Sequence, residues 1–413
     1  MDYFDYRDGE LWVEAVRIKD LANRFGTPLY VYSKKTLVRH FQAFDTALKG
    51  LKHLTCFSVK ANGNVNLLRL MGGLGAGVDI VSGGELFRAL KAGIDPKKIV
   101  FSGVGKQAHE IREALKTDIL MFNVESAQEL ERIGRIAAEM NTTARVSIRI
   151  NPDVDPKTHP YISTGLKKNK FGLDVLEATG AYLLAKATPS VEPVGIDCHI
   201  GSQLTQLGPF VEALKKLLAF ADRLQSSGVD IRYLDLGGGL GITYSEETPP
   251  LPADLGRSIA ETLAERKDLT VILEPGRAIA GNAGILVTQV LYTKKTSAKN
   301  FVIVDAAMND LVRPSLYGAF HRIGEVTPRE RKPILVDVVG PICESSDFLA
   351  QDRLLPALEP GEVLAVFSTG AYGFSMSSQY NSRPRAAEVI VDGDQATLAR
   401  RRETYNDLIA LES

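Results

Sequence analysis

The sequence has few cysteines and no surplus of basic charge. Its three cysteines, Cys56, Cys198 and Cys343, lie far apart and without Cys-x-x-Cys spacing, so they support neither a disulfide framework nor a zinc site. The 49 lysines and arginines nearly balance the 50 aspartates and glutamates. This balance argues against a nucleic acid or an anionic membrane as a partner, because such partners are normally met by a basic excess.

Long apolar segments are also missing. No uninterrupted apolar run approaches the ~20 residues that a membrane-spanning helix needs. The first residues, MDYFDYRDGELW, are acidic and aromatic and resemble neither a signal peptide nor a transit peptide. We therefore expect a cytoplasmic protein.

What the sequence has instead is a regular alternation of short apolar runs with amphipathic stretches. Eight runs rich in valine and isoleucine are typical of strands covered on both faces: 54–60, 78–81, 99–102, 119–122, 145–150, 194–200, 233–236 and 271–274. Eight strand–helix units over roughly 220 residues predict a closed (β/α)8 TIM barrel. A doubly wound open sheet, which needs no particular strand number, is the alternative.

After about Ala283 the pattern changes to strands with only short interludes. The apolar runs there are 285–292, 301–305, 334–339, 363–367 and 387–391, and Asp392–Gly393 is a hairpin-turn signal. The first 33 residues also look strand-like. We therefore predict a barrel domain over 34–283 and a discontinuous β domain, a sandwich or barrel, formed by 1–33 and 284–413.

Lys60 lies at the end of the first predicted strand, in FSVKAN. In a (β/α)8 barrel the functional groups collect where the strands meet their following loops. A lysine at this place is a candidate for Schiff-base chemistry, because burial near other positive groups favours the neutral, nucleophilic amine. An ordinary surface lysine is the alternative.

Three further motifs lie at the ends of predicted strands six, seven and eight. His199 presents an imidazole that can stack on a cofactor ring, and the backbone of Gly237–Gly239 can approach a phosphate closely. Glu274 can keep a pyridine nitrogen protonated, and Arg277 can clamp a carboxylate. A core histidine, a structural glycine turn and an ion pair at the rim are the alternatives. Together with Lys60, these residues suit a phosphate-bearing aldehyde cofactor.

Ten sequence blocks, in order along the chain, match a known family. They are FSVKAN (57–62), VDIVSGGEL (78–86), FSGVGK (101–106), ESAQEL (125–130), RINPDVDPKTHPYISTGLKKNKFGL (149–173), HIGSQ (199–203), LDLGGGLGI (234–242), EPGRAIAGNAG (274–284), GPICESSDFLA (340–350) and GAYGFSMSSQYNSRPRAAEV (370–389). With these blocks the chain resembles the fold-type III decarboxylases that use pyridoxal 5′-phosphate (PLP), the group of diaminopimelate, ornithine and arginine decarboxylases. The HPYISTG, AGNAG and CESSD segments resemble the diaminopimelate-specific members most.

The resemblance implies a PLP-binding (β/α)8 barrel with a C-terminal β-sandwich or β-barrel domain. Lys60 would form the Schiff base with PLP, His199 would stack on its ring, and Glu274 would pair with the ring nitrogen. The residues around the phosphate and the neighbouring substrate groups would be Ser202, Gly238, Gly239, Gly276 and Arg277, with Tyr380 closing over the cofactor.

The same resemblance implies a set of substrate-binding residues: Arg277, Arg313, Tyr317, Glu344 and Tyr372. The two arginines and Tyr317 would hold the distal carboxylate of the substrate, and Glu344 would bind the distal ammonium. Cys343 would protonate the carbanion after CO2 leaves. In the family Cys343 and Glu344 reach the site from the second subunit, so a homodimer with active sites at the subunit interface is implied.

These roles imply decarboxylation of meso-2,6-diaminopimelate to L-lysine and CO2, the last step of lysine biosynthesis. The nearest alternative is a decarboxylase of the same fold that acts on carboxynorspermidine, a D-amino acid or a carrier-bound glutamyl group. An alanine racemase-like enzyme and a non-catalytic PLP carrier are two others. Release of CO2 separates a decarboxylase from the last two.

Overall fold

The structure, a computed structural model, describes residues 2–154 and 170–412 and divides into two compact units. The barrel unit comprises His40–Ile242 and Thr248–Ala278, and the β unit comprises Met1–Arg39, Thr243–Glu247 and Ile279–Ser413. The assignment of the short segment after strand seven to the β unit is not foreseen by the sequence pattern. The domain limits predicted above stay a prediction, and the HPYISTG segment lies outside the described residues.

Eight parallel strands close into a barrel in the first unit. Numbered one to eight along the chain, they are Lys52–Ser58, Gly77–Ile80, Ile99–Phe101, Met121–Val124, Ala144–Arg149, Val191–Asp197, Tyr233–Asp235 and Thr270–Leu273. Strand eight pairs in parallel with strand one, where Leu273 lies opposite Thr55, so the barrel has no open edge. The predicted (β/α)8 barrel is confirmed, and the open-sheet alternative is wrong.

Helices alternate with the barrel strands, and the first of them precedes strand one. They are Lys34–Ala47, which spans the boundary between the units, Val65–Gly73, Gly83–Ala92, Ala108–Lys116, Ala127–Glu139, Val175–Ala187, Gly208–Ser226 and Pro252–Thr262, with 3-10 turns at Val59–Ala61 and Pro96–Lys98. The helix that begins at Gly208 buries Leu214, Leu217 and Leu224 on one face, at the spacing of an amphipathic helix. No helix within the described ranges is long and apolar enough to span a membrane.

The β unit is built on a nine-stranded mixed sheet. Its main path runs through Phe348–Pro356, Pro333–Val339, Asn300–Val304, Gly284–Lys295, Leu29–Ser33, Ala387–Asp392 and Gln395–Arg400, while Ile323–Glu325 pairs with Val363–Val366. The long strand Gly284–Lys295 bonds different partners along its length, Leu29–Ser33 and Val363–Val366 in its first half and Asn300–Val304 in its second. One strand therefore takes part in two sheet segments, as strands do at the corners of packed sheets.

A hydrophobic core in the β unit joins the start of the chain to its last third. Leu11 and Ile18 are fully buried in one cluster with Val31, Ile285 and Val389. A small three-stranded sheet accompanies it: Phe4–Arg7, Glu10–Val13 and Val16–Arg17. The short helices here are Ile18–Phe25, Arg313–Tyr317 and Tyr405–Leu408, with Arg277–Ala280 at the unit boundary and 3-10 turns at Gly281–Ala283, Phe374–Met376 and Tyr380–Ser382.

Candidate active site

Lys60 stands just beyond strand one of the barrel. The strand ends at Ser58, and Lys60 lies in the 3-10 turn Val59–Ala61 that follows. Its Nζ donates to Oδ2 of Asp79 on strand two at 2.6 Å, and the same oxygen accepts the hydroxyl of Ser58 at 3.0 Å. Asp79 is fully buried, whereas the Lys60 side chain is 37% exposed. The amine is thus held in place by a buried anion and remains accessible from the carboxyl end of the barrel.

Buried carboxyl groups gather at this end of the barrel. Asp79, Asp197 and Asp235 lie on strands two, six and seven, and Glu274 directly follows strand eight. Burial raises the pKa of Asp235 to about 6, although the N–H of Gly237 and the side chains of Asn123 and Glu274 act against the rise. Burial, followed by the charge of Asp235, raises the pKa of Glu274 well above its ordinary value. Burial and the neighbouring carboxyl group therefore both favour the protonated form of Glu274.

One oxygen of Glu274 has no hydrogen-bond partner. This atom, Oε1, is buried and makes no hydrogen bond to any residue that the structure describes. A buried polar atom without a partner is costly, so such an atom at a candidate site points to a group that binds there. The atom therefore suits a ligand atom that can share a proton with Glu274.

His199 lies past the end of strand six, which stops at Asp197. Its Nδ1 accepts the backbone N–H of Gly238 at 3.1 Å, so that nitrogen carries no proton. Burial, followed by the positive charges of Arg149 and Lys60, lowers the pKa of this imidazole well below its usual range. The ring is neutral at physiological pH, and a neutral flat ring is suited to stacking.

The glycines after strand seven are required by space and by backbone angle. Gly237 and Gly239 have φ values of 64° and 112°, in the region that glycine alone adopts readily. A Cβ on Gly238 would stand 2.3 Å from the carbonyl oxygen of Glu274, and one on Gly276 would stand 2.9 Å from Cβ of Ala61. No side chain fits here, so the backbone itself lines this part of the site.

Arg277 reaches the loop after strand six. Its Nε and Nη2 donate to the hydroxyl of Ser202 at 3.3 and 3.2 Å. The residue is buried and begins the short helix Arg277–Ala280. A buried guanidinium beside a hydroxyl offers charge and hydrogen bonds to a phosphate or a carboxylate.

In the β unit, Arg313 and Tyr317 occupy the two ends of one short helix. The Arg313 guanidinium is buried and stands 5.4 Å from the ring centroid of Tyr244 and 5.9 Å from that of Tyr317. Its Nε donates to Nε2 of His321 at 3.4 Å. Aromatic faces attract a guanidinium and restrict its orientation.

Cys343 and Glu344 lie in a loop of the β unit, and both are exposed. The Tyr380 hydroxyl donates to Oε2 of Glu344 at 2.6 Å, and the backbone N–H of Cys343 donates to Oδ1 of Asn381 at 3.0 Å. Hydrogen bonds from the Ser346 and Tyr380 hydroxyls lower the pKa of Glu344 below its ordinary value. These hydrogen bonds therefore favour the ionised form of Glu344.

Tyr372 lies in the β-unit loop that follows Val363–Val366, and its φ is 57°. A large side chain in this left-handed region is strained, and such strain is often kept where a side chain must be aimed. The nearby Ser368 has a similar φ of 58°. The loop is thus held in a conformation that its sequence does not favour.

The predicted residues divide between the two units, and direct contacts join Arg277 to Ser202, Gly238 to His199, Arg313 to Tyr317 and Glu344 to Tyr380. In the barrel unit they are Lys60, His199, Ser202, Gly238, Gly239, Glu274, Gly276 and Arg277, and in the β unit Arg313, Tyr317, Cys343, Glu344, Tyr372 and Tyr380. Sequence reasoning missed Asp79, Tyr244 and Asn381 as their partners. A signal existed only for Asp79, which is a carboxylate in the otherwise apolar run VDIV.

Comparison with known proteins finds similar proteins along the whole length of the chain. Residues 34–281 match the family model described as pyridoxal-dependent decarboxylase, pyridoxal binding domain. The diaminopimelate decarboxylase of Vibrio cholerae is 55% identical over 414 residues, which cover 100% of this chain and 99% of that protein. The crystal structure of diaminopimelate decarboxylase from Helicobacter pylori complexed with L-lysine is 49% identical with a TM-score of 0.92, over 95% of this chain and 98% of that one. The M. jannaschii diaminopimelate decarboxylase in complex with L-lysine is 42% identical with a TM-score of 0.95, over 100% and 98%.

Proposed function

This chain belongs to the diaminopimelate decarboxylases within the pyridoxal-dependent decarboxylase family, and from that premise we propose which of its residues perform the reaction. The reaction is the decarboxylation of meso-2,6-diaminopimelate to L-lysine and CO2, the last step of lysine biosynthesis, with PLP as cofactor. The substrate and the cofactor that the sequence predicts are thereby confirmed. The racemase-like and carrier alternatives are set aside by full-length similarity to decarboxylases.

The barrel unit suits PLP, and the unpartnered Oε1 of Glu274 is the observation that carries this assignment. A pyridine nitrogen would supply the missing hydrogen-bond partner, and the proton that Glu274 holds would pass into that bond. When bound, PLP supplies an electron sink for the charge left at Cα when CO2 departs. Gly238, Gly239, Gly276 and Ser202 would surround the phosphate. A Cβ on Gly238 or Gly239 would collide with neighbouring backbone, and one on Gly276 would collide with the side chains of Ser58 and Ala61.

Lys60 would hold the cofactor covalently through Nζ. Asp79 aims that nitrogen from a fully buried position at 2.6 Å. His199 would lie against the cofactor ring as a neutral imidazole whose orientation is fixed by the N–H of Gly238. Because the imidazole is neutral, the positive charge on the ring nitrogen of the bound cofactor would be balanced by Glu274.

The substrate carries a second amino-acid head, far from the bond that breaks. Its distal carboxylate would meet Arg277, Arg313 and the hydroxyl of Tyr317, because guanidinium groups bind carboxylates with two parallel hydrogen bonds. Its distal ammonium would meet Glu344, whose hydrogen bonds keep it ionised. Tyr372 would line the same pocket, and Tyr380 would close over the cofactor.

Cys343 would deliver the proton that replaces CO2 at Cα. The resemblance implies that Cys343 and Glu344 enter the active site of a second subunit, and both residues are exposed in this chain. We therefore propose a homodimer. Mixing Lys60→Ala chains with Cys343→Ala chains should restore about a quarter of the wild-type activity, since half of the random dimers would regain one complete site. Two inactive variants that stay inactive after mixing would contradict shared sites.

The decisive experiment measures CO2 release from the purified chain with PLP, offered meso-diaminopimelate, L-lysine, L-ornithine and L-arginine in parallel. Release from meso-diaminopimelate alone is expected. Lys60→Arg is the matched control, because it keeps the positive charge beside Asp79 but lacks the primary amine that bonds to the cofactor. An active Lys60→Arg variant would overturn the role of Lys60, and turnover of another amino acid would overturn the roles of Arg313 and Glu344. The cytoplasmic location stays a prediction that cell fractionation would check.

A further inference from the structure

A buried histidine stands behind Arg313 in the β unit. His321 is fully buried, and its Nδ1 lies 2.9 Å from the carbonyl oxygen of Phe367. A carbonyl oxygen only accepts hydrogen bonds, so Nδ1 must carry the proton of the neutral ring. Nε2 is then an acceptor, and Nε of Arg313 donates to it at 3.4 Å. The hydrogen bonds around the ring thus assign its tautomer.

The surroundings leave this imidazole little freedom. The Tyr244 ring meets the His321 ring edge-on at 5.3 Å, and Nη1 of Arg353 donates to the His321 carbonyl oxygen at 2.9 Å. Tyr244 also lies under the Arg313 guanidinium, at 5.4 Å. A side chain fixed by packing and hydrogen bonds at both ends is a rigid support for the group that it contacts.

The hydrogen bond to His321 is made by Nε of Arg313, and this determines the orientation of the guanidinium group. When Nε is engaged by His321, the two terminal nitrogens Nη1 and Nη2 remain available to bind another group. This pair of nitrogens matches the two oxygens of a carboxylate. We propose that His321 is a positioning residue that orients Arg313 for the distal carboxylate of the substrate. The proposal rests on the proposed function, in which Arg313 binds that carboxylate.

Two nearly isosteric variants separate the two hydrogen bonds of the imidazole. In His321→Gln the amide oxygen takes the place of Nε2 and still accepts from Arg313. In His321→Asn the amide nitrogen takes the place of Nδ1 and still donates to Phe367, but nothing reaches Arg313. We expect the KM for meso-diaminopimelate to rise about tenfold in His321→Asn and to change less than about threefold in His321→Gln, because one hydrogen bond is lost only in the first. kcat and the visible absorbance of bound PLP should stay near wild type in both.

Arg313→Lys makes the test specific, because lysine has no Nε–H for His321 to hold. Combined with Arg313→Lys, the two histidine variants should have the same KM. An unchanged KM in Arg313→Lys itself would refute the substrate-binding role of Arg313, and with it the proposed function of that residue. A raised KM in Arg313→Lys with equal KM values in His321→Asn and His321→Gln would overturn the positioning role of His321 alone. Loss of the far-ultraviolet dichroism or of the PLP absorbance in His321→Asn would make His321 a structural residue and also overturn the proposal.

Discussion

The barrel unit and the β unit treat their charged site residues in opposite ways. In the barrel unit Glu274 and His199 are buried, and burial drives both toward their neutral forms. In the β unit Glu344 is exposed, and hydrogen bonds from Ser346 and Tyr380 hold it in its charged form. Removal of a side chain from water favours its neutral form, whereas hydrogen bonds donated to an exposed carboxylate favour its charged form. In the barrel unit, burial thus shifts the protonation of Glu274 and His199 for the chemistry. In the β unit, Glu344 keeps its ordinary negative charge for binding the substrate.

The buried arrangement has a cost that the exposed one avoids. Several carboxyl groups share the barrel end, and only some meet a cation: Arg149 contacts Glu125 at 2.8 Å and Asp197 at 3.8 Å. Buried ion pairs rarely stabilise a fold relative to apolar residues of similar size. This part of the barrel is therefore better explained by function than by stability, a compromise that active sites commonly make.

Glu274→Gln is expected to have the largest effect. The amide keeps the shape of the side chain but cannot hold a negative charge beside the cofactor nitrogen, so kcat should fall by about 10²- to 10³-fold, the scale for loss of one preorganised electrostatic contact. Glu274→Asp, which keeps the charge on a shorter side chain, should retain more activity than Glu274→Gln. Steady-state CO2 release checks both. A kcat for Glu274→Gln within about threefold of wild type would contradict the view that the ionisable carboxyl group of Glu274 serves the reaction.

Glu344→Gln should act on binding, as expected for the β unit. Loss of a charged hydrogen-bond partner for the distal ammonium should raise the KM for meso-diaminopimelate by about 10- to 100-fold, with a smaller change in kcat. Glu330→Gln is the matched control, because Glu330 is an exposed glutamate of the same unit outside the proposed site. The comparison between the units would break if Glu344→Gln lowered kcat and left KM unchanged.

Much of the barrel site could be predicted because parallel strands deliver their ends to one face. Lys60 and Glu274 were found from their positions after apolar runs, although strand one ends at Ser58. Strand six starts at Val191, earlier than its apolar run indicates, because Pro193 obscures its first residues and a register irregularity accommodates the proline. The strand also ends at Asp197, before the predicted limit at residue 200, so His199 lies in the loop that follows it.

The partners of the β-unit residues could not be predicted, because they depend on contacts between distant parts of the chain. Tyr244 follows barrel strand seven in the sequence, yet it belongs to the β unit and lies against Arg313. Tyr380 meets Glu344 across 36 positions. No periodicity or local motif encodes such pairings, and only family resemblance pointed to the residues themselves.

Asp310→Asn tests whether the neutral form of a carboxyl group is favoured by burial itself, in either unit, and not by a property of the barrel unit. Asp310 is a buried carboxyl of the β unit, and burial raises its pKa to about 7, although the N–H of Ala307 acts against the rise. Unfolding lets it ionise at its ordinary, lower pKa, so its contribution to stability is full in acid and is lost as the pH rises toward 7. The free energy of unfolding of Asp310→Asn relative to wild type should therefore increase by about 2.5 kcal/mol from pH 5 to pH 8. Denaturant titrations at both pH values check this, and a pH-independent difference would contradict it.

Tyr380→Phe is expected to have the smallest effect and separates two roles for one residue. The change removes the hydroxyl that donates to Glu344 at 2.6 Å, in an exposed pair. If that bond serves to hold Glu344, the KM for meso-diaminopimelate should rise about two- to tenfold, the affinity for PLP should stay unchanged, and the effect should vanish in a Glu344→Gln background. If Tyr380 instead closes over the cofactor, PLP would bind more weakly and the effect would persist in that background. Tyr405→Phe, at an exposed tyrosine of the same unit, should change neither quantity.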